Sequence, residues 1–221
     1  MSIVKLKVKG ILFDLDGTIV DSKEAYIAAA KKAFLDFGMN PPEKERALEI
    51  PKRLEQSLSI ANIINGCIVC FLEVYMKTYY SVTKEKTRPF PNVQATLEKL
   101  SQNAKLGLVT MRFASKTIIA AELEHFHLAK YFTQIVTAKD ASKPKPSPEA
   151  LVKAVKALDI NASDCLMVGD SVVDIRAGKA AGTQTVAVMS GLYSRSELAL
   201  EQPDLILDNV TQLLGHVDFI V

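Results

Sequence analysis

Cysteine is scarce. Three cysteines in 221 residues are too few for a disulfide framework, and an odd count fits a reducing compartment. Cys67 and Cys70 form a Cys-x-x-Cys pair, but no second Cys or His pair completes a zinc site. Their neighbours Ile68, Val69, Phe71 and Leu72 are apolar, so both are expected to be free thiols packed as small hydrophobes. His125 and His127 read as ordinary residues at a helix end. An excess of charge of one sign is missing too. The formal net charge is +2 and the basic residues are scattered, which leaves no footprint for nucleic acid or an anionic membrane. No uncharged apolar run approaches the roughly 18 residues that suggest a membrane span. Met1-Ser2-Ile3-Val4-Lys5 lacks the charged-then-apolar pattern of a signal peptide. A cytoplasmic protein is expected.

Apolar residues, by contrast, make up 48% of the chain, enough for a substantial core. Short β-rich apolar runs are predicted as strands at Val8–Phe13, Lys105–Thr110, Gln134–Thr137, Cys165–Val168, Thr185–Met189 and Leu205–Leu207. Helices are predicted between them at Val93–Asn103, Ser115–Glu124, Ser147–Leu158, Val172–Ala181 and Ser194–Leu200. Strands that are apolar at consecutive positions suit a parallel sheet buried on both faces. The alternation predicts an α/β fold, a Rossmann-like three-layer core.

The rhythm breaks once, from about Ser22 to Arg88, where the text is helical throughout. Asp21 or Ser22 caps a helix through Tyr26, Ala30, Phe34 and Phe37, with Gly38 as its stop. Pro41 and Pro42 open a second segment, Pro51 is expected to start or kink a third, and helix continues to Tyr80. The run Thr87-Arg88-Pro89-Phe90-Pro91-Asn92 reads as a stiff return linker. The predicted organisation is therefore an α/β core of residues 1–20 and 89–221 interrupted by an all-helical insert, residues 21–88. The apolar stretch Ile60–Tyr80 is expected to pack inside that insert rather than to make a dimer contact.

The chemistry is carried by strand ends. Asp14-Leu15-Asp16-Gly17-Thr18 follows the first strand. Residues two apart in an extended chain project to one side, so both carboxylates can face one site. Open parallel sheets bind ligands at these ends. Two close carboxylates repel, and a divalent metal relieves this; Mg²⁺ is the usual choice in phosphate chemistry. Gly17 lets the backbone approach a phosphate and Thr18 adds a hydroxyl. Thr110 ends a second strand, where its hydroxyl is placed to hold a phosphate oxygen, and Met111 and Arg112 follow it. Lys143 lies in Ser142-Lys143-Pro144-Lys145-Pro146; Pro144 stiffens that loop, and the lysine can neutralise phosphate and carboxylate charge. Gly169-Asp170-Ser171-x-x-Asp174 follows a third strand. Asp170 offers another carboxylate to the metal, and Asp174, one helical turn on, orients its surroundings.

Those four motifs in that order resemble the haloacid dehalogenase-like hydrolase superfamily, in its phosphatase branch with a helical cap. The resemblance implies that Asp14 is the nucleophile and Asp16 the general acid, then base. It implies that Thr110 and Lys143 bind the transferring phosphoryl group. Asp14, the backbone carbonyl of Asp16, and Asp170 would ligate Mg²⁺, with Asp174 behind them. It further implies a five-stranded parallel core with the first strand central and a cap that closes over the site. The implied activity is Mg²⁺-dependent hydrolysis of a small phosphorylated metabolite through an aspartyl-phosphate.

Asp16 argues against the dehalogenases and phosphonate hydrolases of the superfamily, which lack an acid there. A phosphoglucomutase-type transfer shares the first motif and stays open. A phospho-accepting signalling module uses clustered Asp, Thr and Lys as well, but on a chain of about half this length without the insert. Gly-Thr-x-Val-Asp-Ser after the nucleophile, together with Lys-Pro-x-Pro-x-Pro, looks most like the phosphoglycolate phosphatase group, which shares these features with sugar-phosphate phosphatases, nucleotidases and pyrophosphatases. Arg112 is read either as a ligand for a substrate carboxylate or second phosphate, or as a solvated residue at a helix start. Lys52 and Arg53 are read as specificity contacts or an exposed helical face, and Asp21 as a substrate contact or a cap.

Overall fold

A computed structural model of the chain describes residues 5–220. The chain divides into two compact units, one formed by residues up to Val20 together with those from Pro89, the other by Asp21–Arg88. In the first, six strands form one parallel sheet in the spatial order Gln134–Val136, Lys105–Val109, Gly10–Phe13, Cys165–Gly169, Gln184–Val188, Leu205–Leu207. The sheet therefore has six strands where the family resemblance implied five, and Gly10–Phe13 lies inside it with a partner on each side. All four of its residues are buried, as are all five of Cys165–Gly169. Helices over both faces explain the unbroken apolar text of these strands.

Register sets the site. Phe13 stands opposite Leu108 on one side and Val168 on the other, so the three strands end together. The ladder runs one bond further at two of them: Asp14 N–H donates to the Val168 carbonyl at 2.9 Å and Thr110 N–H to that of Val136 at 3.0 Å. The helix Val172–Ala181 starts just beyond, with Ser171 and Asp174 each accepting from the other's backbone N–H, a reciprocal cap. Its end is Gly182, at φ +78°. Leu6–Val8 and Val217–Phe219 form a separate parallel pair; neither the break at Lys9 nor the second strand was anticipated.

The unit Asp21–Arg88 holds three helices, Lys23–Asp36, Lys44–Glu55 and Ile68–Lys86. The Asp21 carboxylate takes the Lys23 N–H at 3.0 Å, so Asp21 supplies the side-chain cap, while Ser22 makes no such bond. Pro51 sits inside Lys44–Glu55 and does not open a third helix. The chain leaves helix at Gln56, where Ser57 takes φ +56°, and re-enters it only after Gly66 at φ +97°. The expected continuous helix is thus two helices. Phe71, Tyr75 and Tyr79, four apart along one face of the last helix, are buried in this unit's own core with Phe34, Ile50 and Ile60. Phe34 meets Phe71 edge-on at 5.5 Å and Tyr26 stacks on Tyr79 at 5.0 Å.

The cysteine expectation is corrected. Cys67 and Cys70 are joined by a disulfide and both are exposed. Cys67 caps the helix, its sulfur accepting from Cys70 N–H. Cys165 is the free thiol, buried in the sheet, and burial pushes it up to about 12. No helix among the described residues is long and apolar enough to cross a membrane.

Replacing Phe71 by Ala is expected to destabilise the protein by about 3–5 kcal/mol through loss of buried area and the cavity left behind. Urea unfolding followed by far-ultraviolet circular dichroism checks this; a change below about 1 kcal/mol would mean that the site collapses around the smaller side chain.

Candidate active site

Asp14 leaves the central strand already buried, 8% exposed. The lysine that reaches it is Lys145, not Lys143. Lys145 is 3% exposed, and its ammonium donates to Asp14 Oδ1 at 2.6 Å, to Asp174 Oδ1 at 2.6 Å and to the Val109 carbonyl at 2.9 Å. Those are all the protons an ammonium has. Lys143 is exposed. Its backbone N–H and the N–H and hydroxyl of Ser142 all donate to the Glu149 carboxylate. That anchor ties residues 142–143 to the following helix, and the chain turns inward two residues later.

Three carboxylates, Asp14, Asp170 and Asp174, place ligand-capable oxygens within 4.8 Å of one another, all buried. Thr18, fully buried, donates its hydroxyl to Asp170 Oδ1 at 3.1 Å. It therefore orients an acid rather than facing a substrate. Gly17 is at φ +82°, and a Cβ there would lie 2.4 Å from Asp170 Oδ2, so its missing side chain admits Asp170. Asp174 divides its oxygens, one for Lys145 and the other for the Ser171 N–H and hydroxyl.

The cluster carries surplus negative charge, three acids against one lysine. Burial pushes Asp14 up to about 7; Lys145 opposes that rise and Asp174 and Asp16 add to it. Burial also works against the charge of Lys145, but Asp14 and Asp174 together hold its ammonium above the ordinary lysine range. Hard oxygen donors in excess over their counter-charge fit a divalent cation.

Asp16 does not share this cluster. Its carboxylate is gripped by Arg112, Nε to Oδ2 at 2.7 Å and Nη2 to Oδ1 at 2.6 Å. The repulsion between Asp14 and Asp16 is thus relieved by a separate cation for each. Arg112 is only 5% exposed, which removes the reading of a solvated helix start. Its Nη1 donates to Glu122 at 2.5 Å. Thr110 is buried and its hydroxyl accepts the Arg112 N–H at 3.1 Å. Met111 packs against the apolar cluster of Val173, Ile175 and Tyr193. In the helical unit, Arg53 is held by Glu49 at 2.8 Å and by the Ser59 carbonyl at 3.0 Å.

Five residues of this site were not foreseen. Lys145 stood beside a proline as Lys143 did, with nothing local to separate them. Ser171 was readable, since Ser-x-x-Asp before an apolar run is a capping-box signature. Glu122 carries no signal, being one of several acids on its helix. Ser190 donates to the Gly17 carbonyl at 2.6 Å, and a Cβ on Gly191 would fall 1.6 Å from Asp170 Oδ2; neither contact has a local pattern.

Residues 11–188 match the family model described as haloacid dehalogenase-like hydrolase. The chain is 32% identical over 212 residues to pyrophosphatase PpaX of Bacillus mycoides, covering 95% of this chain and 96% of that one. It is 31% identical over 214 residues to a phosphoglycolate phosphatase of Pseudomonas fluorescens, covering 92% and 78%. A haloacid dehalogenase-like family hydrolase from Streptococcus pneumoniae superposes with a TM-score of 0.79 at 23% identity, covering 94% and 97%.

Lys145→Met is expected to destabilise the metal-free protein by about 3–5 kcal/mol, because it leaves two buried carboxylates without their cation. Lys143→Met should stay within about 0.5 kcal/mol. Denaturant midpoints of the two variants decide which lysine belongs to the site; equal effects would reject the assignment.

Proposed function

Because the chain belongs to the haloacid dehalogenase-like hydrolases, we propose that it is a Mg²⁺-dependent phosphatase in which Asp14 attacks the phosphorus of a small phosphate monoester. The observation that carries this reading is the contact of Lys145 with Asp14 and Asp174 at the strand ends. A nucleophilic carboxylate beside a fixed cation, with further buried acids for a metal, is a constellation suited to phosphoryl transfer.

Asp14 forms an O–P bond as the bond from phosphorus to the leaving oxygen breaks. Asp16, a carboxylate paired with Arg112 at rest, first takes up the proton that a phosphate monoanion brings in and then delivers it to that oxygen. An aspartyl-phosphate on Asp14 results. Asp16, now a carboxylate, takes a proton from water as the water attacks phosphorus; phosphate leaves and Asp14 is restored. Lys145 holds Asp14 in line and offsets charge beside the transferring group. The Thr110 hydroxyl, free to turn its own proton outward, is placed to bond a phosphoryl oxygen. Asp14, the Asp16 carbonyl and Asp170 would hold Mg²⁺, and Asp174 would keep both Lys145 and the acidic cluster in place. A cation held there would supply Lewis-acid neutralisation of phosphoryl charge.

The substrate class assigned is phosphoglycolate-like or a sugar phosphate. Pyrophosphate, for which the Bacillus relative is named, is an anhydride open to the same in-line attack.

Two measurements test this. Phosphate release from phosphoglycolate, sugar phosphates, nucleoside monophosphates, pyrophosphate and an aryl phosphate is expected with Mg²⁺ and not with EDTA. Asp14→Asn should lower it by at least about 10⁴-fold. Near-normal turnover by that variant would sink the assignment of the nucleophile.

Mg²⁺ should also raise the melting temperature, and more at pH 8 than at pH 5.5. The sign follows from Asp14. Its folded pKa is raised to about 7 from 3.8, so in metal-free protein its contribution to stability is present below pH 4 and is lost as pH rises through 7. A cation that binds the deprotonated form replaces the proton and reverses that loss. Equal gains at both pH values would show that Asp14 is not a ligand.

A further inference from the structure

We propose that Arg112 is a positioning residue for proton transfer, holding the Asp16 carboxylate against Glu122 so that Asp16 meets the leaving oxygen and then the attacking water in one fixed orientation. This rests on the phosphatase reading above. The geometry goes beyond an ordinary ion pair. Both Asp16 oxygens are taken by one guanidinium, at 2.7 and 2.6 Å, in the planar fork that fixes a carboxylate in rotation as well as in place.

The fork is itself anchored. Nη1 meets Glu122 at 2.5 Å. The Arg112 N–H is held by the Thr110 hydroxyl at 3.1 Å and its carbonyl by the Ala138 N–H at 3.3 Å. Glu122 stands on the helix Lys116–His125, whose first turn is capped by Ser115. Side-chain exposures in the chain are 11% for Asp16, 4% for Arg112 and 8% for Glu122.

Stability alone does not account for such an arrangement. A buried ion pair gains little over apolar residues of the same volume, and here two acids share one arginine. Asp16 needs a brace for a local reason. It is followed by Gly17 at φ +82°, stands two residues from the charged Asp14, and adds to the forces raising Asp14. Without Arg112 its carboxylate would turn away from that charge. A general acid 1 Å out of place forfeits much of its effect.

The test compares an alkyl phosphate with no second anionic group, glycerol phosphate, with p-nitrophenyl phosphate, whose leaving group departs without a proton. Phosphoglycolate is the third substrate, all with Mg²⁺. Because kcat/KM reports steps up to formation of the aspartyl-phosphate, it isolates the proton donation. Arg112→Met should lower kcat/KM on glycerol phosphate by about 10²-fold and at least tenfold more than on the aryl ester. It should also produce a burst of about one equivalent of nitrophenolate, because hydrolysis of the aspartyl-phosphate then lacks its base.

Arg112→Lys, which keeps the charge and loses the fork, should recover part of the difference. Glu122→Gln should give a smaller shift of the same kind; these two carry the test if the Met variant does not melt cooperatively. Equal losses on all substrates without a burst would overturn the inference and leave a structural pair. A loss confined to phosphoglycolate would overturn it in favour of Arg112 binding the second anion of the substrate. Wild-type protein that releases phosphate from none of the three would overturn the phosphatase reading, and this inference with it.

Discussion

The ammonium of Lys145 ties the site together. Its three protons go to Asp14 at the end of the central strand, to the Val109 carbonyl at the end of its neighbour, and to Asp174 in the helix that follows the third. Each partner comes from a different segment, so the contact forms only when three parallel strands stop in register. It also makes the acidic cluster tolerable. Asp14, Asp170 and Asp174 crowd within 4.8 Å, and buried carboxylates so close would exclude one another's charge without a cation among them. Held by three acceptors, the lysine has no rotamer freedom left to lose on binding a substrate.

Arg112 extends the same principle to the next acid. Asp14 and Asp16 stand two residues apart in the chain, yet each has its own cation, compact for one and forked for the other. On the proposed roles the difference has a reason. A nucleophile would need one oxygen aimed at phosphorus beside a point charge, which an ammonium supplies. A proton carrier would need the plane of its carboxylate fixed, which a guanidinium supplies. The two sites are not electrically separate, since Asp16 still adds to the rise of Asp14.

The fold was largely legible because its signals are local. Six apolar runs became the six strands of the sheet, with ends displaced by two residues at most, since burial on both faces leaves an unbroken apolar text. The candidate site was legible in position wherever a residue follows a strand directly: Asp14, Thr110 and Asp170 come straight off the ends of Gly10–Phe13, Lys105–Val109 and Cys165–Gly169. It was illegible where a loop decides. Lys143 and Lys145 flank the same proline, and the choice between them rests on Glu149, which gathers Ser142 and Lys143 from six or seven residues away. Arg112 had two readings because its partners, at separations of 96 and 10 residues, leave no mark on its neighbours. In the helical insert, Pro51 is expected to start or kink a segment because proline lacks a donor, yet it lies inside Lys44–Glu55. The break came instead at Ser57 and Gly66, whose left-handed backbones propensity does not announce.

What fixes the third carboxylate is mostly the absence of side chains. Asp170 stands where a Cβ on Gly17 would come within 2.4 Å of it and one on Gly191 within 1.6 Å. Thr18 holds it from a third side. These come from the first strand end and from the loop after Gln184–Val188, and Ser190 fastens that loop to the Gly17 carbonyl. Two backbone segments are thus pressed against one carboxylate, and the distance between them is set by the width of an aspartate. An alanine at either glycine would move the carboxylate or part the segments, and both outcomes displace an oxygen from the acidic cluster. The precision of this site is therefore built into backbone spacing, whereas Lys145 and Arg112 supply the charge that lets such spacing persist.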